Sequence, residues 1–449
     1  MINIDKLLAA QIIKSKGNNF EAQEIDWKTS SKNKKAVLFF KYTANSYKYL
    51  DELLGFNLVI FDDVETYEKS EVENKILISK KNWLESQKLI LDQLYPLKKK
   101  KIIAITGTNG KTSVCCYLER ILLNDGKKVL RVGTLGEYLN GEKISESSLT
   151  TPSFIDIRKL LSSNVFDVAI FEASSHSLEQ QRFYKIEFSL GGWTNFTQDH
   201  LDYHGTMENY YKSKIKIKNH LQEKLILTSE ESLYLKNPEV FKKSKPMVFT
   251  KKEKEKNLAL CLDFNKKNIE LSYALFKELL GKESDLTPGE LLPARGRFNF
   301  IHFNKSLIVI DFAHTPDALE KICSSLKKID RSKKLNVLFG CGGDRDRSKR
   351  KYMAEAVQKY ADKIYITSDN PRSEEPMQII NDALAGIKDQ RTISIEADRT
   401  LSIKTALAEL DGNILLIAGK GHENYQEVGG IKNYYSDFDV VNSVIEASK

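Results

Sequence analysis

The chain has 449 residues, enough for roughly three domains that each bury a core, and its 41% hydrophobic and 29% charged content marks a globular protein. No run approaches the roughly 18 apolar residues of a membrane span, the start Met1-Ile-Asn-Ile-Asp-Lys6 lacks a basic-then-apolar signal pattern, and five cysteines without metal-ligand spacing argue against a disulfide framework. The expectation is a cytoplasmic protein with no membrane partner; the net charge of +8, carried by scattered lysines, reads as solvated surface and not as a nucleic-acid face, because no aromatic residues interleave the basic ones.

In chain order, β candidates at 36–40, 58–61 and 76–78 define a first unit over 1–97. The lysines of 98–101 then lead into the β-forming run Lys101-Ile-Ile-Ala-Ile-Thr106 and mark a boundary. Segments at 128–132, 168–171, 188–193 and 225–228 follow, several of them separated by helical patterns, which predicts a largely parallel sheet within 98–290. Around 281–293 the composition turns polar, with Pro288, Gly289 and Pro293, and a second linker is expected there. The alternation resumes at 307–312, 335–340, 363–367 and 413–418 within 291–449. The predicted fold is therefore α/β in three domains: a small N-terminal one, a central P-loop domain with a mostly parallel sheet, and a Rossmann-like C-terminal one. Such sheets bind ligands beyond the carboxyl ends of their strands, so the polar residues after each strand are the first candidates.

The most informative of these is Gly107-Thr-Asn-Gly-Lys-Thr-Ser113, between the strand ending at Thr106 and a helical pattern with Tyr117, Leu118, Ile121 and Leu122. Strand, glycine turn and helix aim backbone N–H groups at a phosphate chain. Lys111 adds a point charge and the Thr112 hydroxyl a Mg²⁺ ligand. The loop is short: Gly107 precedes Gly110 by three residues, not the usual five. Glu172 ends another strand, where a hard oxygen donor for Mg²⁺ is needed. Three of the seven histidines, His176, His200 and His204, cluster in the following stretch with Asp199 and Asp202.

The short loop, Glu172-Ala-Ser-Ser-His176, Asn195-Phe-Thr-Gln-Asp-His200 and Asp311-Phe-Ala-His-Thr-Pro316 occur in an order that resembles the Mur ligases of peptidoglycan synthesis, over roughly residues 100–440. The closer resemblance is to the MurE type, which adds the third amino acid to UDP-N-acetylmuramoyl-dipeptide. It implies an ATP- and Mg²⁺-dependent amide ligase in which a carboxylate becomes an acyl phosphate and an amine then displaces phosphate. It further implies ATP contacts from Gly107, Thr108, Asn109, Gly110, Lys111, Thr112, Ser113, Asn195, Arg297 and Asp311. Metal ligands from Thr112, Glu172, His200 and Lys214 follow from it, Lys214 as its carbamate (N6-carboxylysine), with Lys111, Glu172, His200 and Lys214 as the catalytic set. Ser30, Thr150, Thr151, Ser175, Gln180 and Arg182 match the segments that hold the UDP-muramoyl-peptide, and the N-terminal domain would carry the uridine end.

Asp369-Asn-Pro-Arg-Ser-Glu-Glu-Pro376 resembles the motif of ligases that add meso-diaminopimelate. A planar guanidinium at Arg372 suits the distal carboxylate that L-lysine lacks. Arg345, Asp369, Asn370, Gly419 and Glu423 complete the implied amino-acid site. Two positions depart from the family pattern: Asn299 replaces an acid two residues after Arg297, and Thr29-Ser-Ser31 stands where Asp-Ser-Arg is usual, keeping only Ser30. Small-molecule substrates and a monomer are expected. The rivals are folylpolyglutamate synthase, which shares the short loop and acyl-phosphate chemistry without the 369–376 motif, and a P-loop regulator or nucleic-acid-stimulated ATPase, suggested by the positive charge.

Overall fold

The computed structural model describes residues 2–18, 20–146, 149–221, 225–227, 238–389 and 393–448. These fall into two compact units. The first comprises Met1–Lys101 with Pro152–Asp167 and Gln180–Ile186. Its five-stranded sheet runs Ile12–Lys16, Lys75–Ile78, Leu58–Phe61, Val37–Phe40, Ile25–Asp26, with only the first pair antiparallel. The three inner strands are buried at every position, which is why they read as unbroken apolar runs. Leu38, Phe40, Val59 and Phe61 pack with Phe56 and Tyr67 in one core. Two helices are tied by charge: Arg158, on Phe154–Ser163, donates to Asp92 Oδ1 and to the Tyr95 carbonyl, both at 2.9 Å, at the end of Trp83–Leu94.

The second unit holds two sheets, each with its own core. The eight-stranded one is ordered Glu142–Ser145, Gly136–Leu139, Val129–Gly133, Val168–Glu172, Lys101–Thr106, Leu190–Trp193, Leu225–Leu227, Phe241–Lys243. The inner strands pair in parallel, and an antiparallel hairpin extends one edge. The predicted strand at 225–228 is present through Leu227; Thr228 lies outside the described residues. The polar stretch around 281–293 begins where Gly281, at φ +71°, ends the helix Asp263–Leu280. It is anchored at Leu291, whose side chain is fully buried with Leu260 and Leu275, and whose carbonyl accepts from Asn257 Nδ2 at 2.5 Å.

The six-stranded sheet is ordered Asn299–Phe303, Ser306–Asp311, Ile414–Ala418, Leu335–Cys341, Lys363–Ser368, Ile393–Ile395 and is parallel after its first pair. Alternation along Ser306–Asp311 splits its side chains between two cores: Leu307 and Val309 face the helices of one layer, Ile308 and Ile310 those of the other. This doubly wound layering makes the C-terminal third Rossmann-like, and with the other two sheets it gives the three α/β domains expected.

One buried ion pair fixes the carboxyl ends of two of these strands. Arg399 grips Asp437 through Nε and Nη2, both at 2.8 Å, and its guanidinium also donates to the carbonyls of Ser368 and Ala418. Both side chains are fully buried. Arg399→Ala is expected to destabilise the fold by ~3–5 kcal/mol, because Asp437 would remain as an unpaired buried charge. Urea unfolding checks this; a loss below ~1 kcal/mol would show that water reaches the pair.

Candidate active site

Strand Lys101–Thr106 delivers the glycine loop and helix Lys111–Asn124 leaves it. Gly107 and Gly110 adopt φ +134° and +87°. Neither could carry a side chain, since a Cβ would fall 1.9 Å from Thr194 Oγ1 or 2.5 Å from Asn268 Oδ1. Asn195, after the next strand, brackets the loop from outside: its Oδ1 accepts from Asn109 N and its Nδ2 donates to Asn109 O, both at 2.9 Å.

Two lysines converge on one carbonyl. Lys111 Nζ donates to Gly107 O and Thr108 O at 2.9 Å, and Lys214 Nζ donates to the same Gly107 O at 2.7 Å. Lys214 is 1% exposed. Burial, reinforced by the Lys111 charge, holds its ammonium well below the usual lysine range. Burial also lowers Lys111.

Glu172, 1% exposed at the end of Val168–Glu172, accepts from Thr112 Oγ1 at 3.0 Å and from Thr134 N and Oγ1 at 2.9 and 3.0 Å. A carboxylate and a hydroxyl beside a phosphate-binding loop fit a small hard cation. Among the described residues no group of three His, Cys, Asp or Glu side chains is arranged to hold a metal by itself, so Thr112 and Glu172 would supply only part of the coordination shell. The carboxylate passes directly over Gly133, where a Cβ would lie 2.1 Å from Oε1. Gly133→Ala should therefore displace it and lower kcat by about 100-fold, the effect of a misplacement near 1 Å. Turnover compared with the thermal midpoint checks this; wild-type turnover would exclude Glu172 from the chemistry.

His200 opens the short helix Leu201–His204 in a left-handed conformation, φ +53°, and its ring stands 5.0 Å from that of His176. Burial pushes His200 below its usual range despite the adjacent Asp199. Burial alone would raise Asp199, but the Lys349 ammonium, 3.8 Å away, and the His200 backbone N–H, at 2.9 Å, hold it low.

A neighbouring cavity of about 680 Å³ is lined by Gly110, Ser113, Asn268, Arg297, Asp311 and Phe312, among others. Asp311 accepts from Phe298 N and Ala313 N at 2.7 Å. The Arg297 guanidinium lies 4.4 Å from the Phe312 ring centre and reaches Thr112 Oγ1 at 3.3 Å. Its buried Nε has no hydrogen-bond partner among the described residues. Asn299, where the resemblance has an acid, accepts from Gly296 N and so shapes the turn before Arg297.

A larger cavity, about 1380 Å³, joins these groups to the diaminopimelate candidates: Lys111, Thr112, Glu172 and His200 share it with Arg345, Asp369, Asn370, Arg372, Gly419 and Glu423. Asn370 is held on both sides of its amide, donating to Glu423 Oε2 at 2.8 Å and accepting from Lys420 Nζ at 3.1 Å. Gly419, at φ +112°, has no room for a Cβ beside Asp369 Oδ2. Burial and Asp369 raise the Glu423 carboxyl against the pull of Lys420. Arg372 donates through Nη1 to Gly343 O at 2.6 Å. Arg350 braces the surrounding loops, bonding both oxygens of Glu374, Asp382 and the Gly342 carbonyl.

The muramoyl-peptide candidates are placed differently. Thr150 lines the large cavity. Thr151 donates to the Glu172 carbonyl at 2.6 Å. Ser175, 1% exposed, faces His204 Nε2 at 2.9 Å and does not line that cavity. Ser30, Gln180 and Arg182 belong to the first unit, Ser30 on an exposed turn and Arg182 bonded to Gln180 Oε1. Sequence reasoning missed Thr134 and Lys420. Thr134 follows the strand Val129–Gly133, where the rule of looking past strand ends points, and Lys420 lies inside the quoted Gly419–Glu423 segment.

The Mur ligase middle domain matches residues 105–299, and the Mur ligase glutamate ligase domain matches 296–421. The chain belongs to the Mur ligase family. Mur ligases are ATP-dependent amide-bond ligases, and this chain is one of them. The UDP-N-acetylmuramoyl-L-alanyl-D-glutamate–2,6-diaminopimelate ligase of Aquifex aeolicus is 39% identical over 383 residues, 78% of each chain. A solved structure of an enzyme of that description aligns over 100% of this chain and 99% of its own, with TM-score 0.61 and 26% identity. The folylpolyglutamate synthase/dihydrofolate synthase of Yersinia pestis, solved with AMPPNP and a Mn ion, covers 76% of this Mur ligase and 91% of its own chain, with TM-score 0.56 and 17% identity. At that identity the likeness shows the fold alone. Among the described residues no helix is long and apolar enough to cross a membrane.

Proposed function

We propose that this Mur ligase joins meso-diaminopimelate to UDP-N-acetylmuramoyl-L-alanyl-D-glutamate at the expense of ATP. One observation carries the reading: a single cavity holds the phosphate loop and Glu172 together with the Asp369–Arg372 segment and Glu423. The names of the curated relatives point the same way, whereas the folate enzyme is matched at fold level alone. On this reading domains 1–97, 98–290 and 291–449 hold the UDP end, ATP and the incoming amino acid. The enzyme acts as a cytoplasmic monomer on small molecules, with no nucleic-acid or membrane partner.

The chemistry follows from charge. A carboxylate is a poor electrophile, and both it and the γ-phosphate are anionic. An oxygen of the D-glutamate carboxylate bonds to the γ-phosphorus as the bond to ADP breaks. The amine nitrogen then bonds to the acyl carbon, and phosphate leaves as the nitrogen loses a proton. Loop amides 107–113 and Lys111 hold the phosphates, while Arg297 and Asp311 bound the cavity assigned to the nucleoside. Thr112 and Glu172 would hold Mg²⁺ with His200 and the Lys214 carbamate, and the ion would neutralise charge between carboxylate and phosphate. Burial lowers the proton affinity of the Lys214 amine, and in its deprotonated form it can add to carbon dioxide and release a proton, forming that carbamate. Arg345, Arg372 and Glu423 orient diaminopimelate so that one amine faces the acyl carbon; Thr150, Thr151, Ser175, Gln180, Arg182 and Ser30 serve the muramoyl-peptide.

The test supplies ATP, Mg²⁺ and the UDP-muramoyl-dipeptide with diaminopimelate or L-lysine and follows phosphate release. Release with diaminopimelate is expected. Release with neither amino acid overturns the reading, and release with lysine alone overturns the choice of amino acid.

A further inference from the structure

The strand Tyr425–Val428 of the hairpin that ends at Tyr434 lies against the segment 369–372 and bonds Asp369, Asn370 and Arg372. Gln426 Nε2 donates to Asp369 O at 2.8 Å. Glu427 N donates to Asn370 Oδ1 at 3.0 Å. Arg372 N donates to Glu427 O at 3.0 Å, and Gly429 N to Arg372 O at 2.7 Å. These last two bonds hold Arg372 at φ +55°, a left-handed conformation that a β-carbon disfavours and that persists only when its surroundings over-determine it. Glu427 also acts through its side chain, with Oε2 3.6 Å from Arg372 Nε. The two side chains are 19% and 22% exposed, so the pair is partly shielded from water. Arg372 lines the large cavity and Glu427 does not.

We propose that Glu427 is a positioning residue for substrate selection: standing behind Arg372, it fixes which edge of the guanidinium faces the distal carboxylate of the incoming amino acid. Gly343 O takes one Nη1 hydrogen and Glu427 draws Nε, so the guanidinium cannot turn about its long side chain without leaving one of two partners. Fixed orientation is what a bidentate carboxylate contact requires. The inference rests on the diaminopimelate reading.

Glu427→Gln removes the charge and keeps the size and the backbone bonds. Its KM for diaminopimelate is expected to rise about 5-fold, the worth of a partly exposed ion pair. Its kcat and its KM for ATP should stay within about 2-fold, and Glu427→Asp should recover part of the affinity. In an Arg372→Ala background the same substitution should change nothing further, because its target is gone. An unchanged KM in Glu427→Gln overturns the proposal, as does an equal effect with Arg372 absent, or a parallel loss of kcat and ATP affinity that marks general disruption. A parent enzyme that releases phosphate with neither amino acid instead overturns the functional reading on which the proposal stands.

Discussion

Lys214→Ala is expected to lower kcat by at least about 100-fold while leaving the fold intact, and millimolar acetate or propionate should restore part of the lost rate. The argument starts from an electrostatic conflict. Lys111 and Lys214 both donate to Gly107 O, and Glu172 lies at the same loop through Thr112. A second ammonium there adds repulsion exactly where the proposed Mg²⁺ must bind, and the side chain is 1% exposed, so water does not screen it. Burial and Lys111 ease the conflict by depressing the lysine's proton affinity. A buried amine of lowered proton affinity beside a cation site is suited to carbamate formation, which puts one negative charge and two oxygen donors where an ammonium would stand. Alanine leaves a space that a small carboxylate can enter with the same charge and donors. Rescue distinguishes this role from simple packing, since a cavity by itself gains no turnover from added acetate. Wild-type activity in Lys214→Ala, or loss that no carboxylate relieves in a folded variant, would remove the carbamate from the mechanism.

The strands legible in the sequence are those buried on both faces. Val168–Glu172 and Leu335–Cys341 are buried at every position, so their apolar runs announce them. Glu142–Ser145 and Ile431–Tyr434 are exposed at every position, and no apolar run or buried face announces them. The second had a local signal even so: Gly429 and Gly430, at φ +57° and +79°, are the glycine pair that a tight hairpin turn demands. The site divides in the same way. Gly107–Ser113 is contiguous and carries its own geometry. Thr134 holding Glu172, and Glu427 holding Arg372, are pairs separated by 38 and 55 positions (172 − 134 and 427 − 372), and only the sheet order and the hairpin bring them together. Chemistry local to one motif was readable, whereas the residues that aim it were not.

Arg372→Ala should cut kcat/KM for diaminopimelate by about 100-fold, with the KM for ATP unchanged, and should narrow the preference over L-lysine. The substitution isolates the side chain. Alanine keeps a β-carbon, so the left-handed backbone at φ +55° carries the same strain before and after, and both backbone bonds to the hairpin survive. What disappears is a guanidinium held by Gly343 O beside Glu427, in the cavity that also contains Lys111 and Glu172. Diaminopimelate then loses the partner of its distal carboxylate, a charge-assisted contact of roughly 2–3 kcal/mol. Lysine loses nothing, because it has no carboxylate there, and it escapes the cost of leaving Arg372 without an incoming partner. The two substrates should therefore converge from opposite directions. Steady-state kinetics with each amino acid, at saturating ATP and muramoyl-dipeptide, decides the matter: an unchanged ratio of their kcat/KM values would place the distal carboxylate elsewhere in the cavity, with Arg345 as the next residue to substitute.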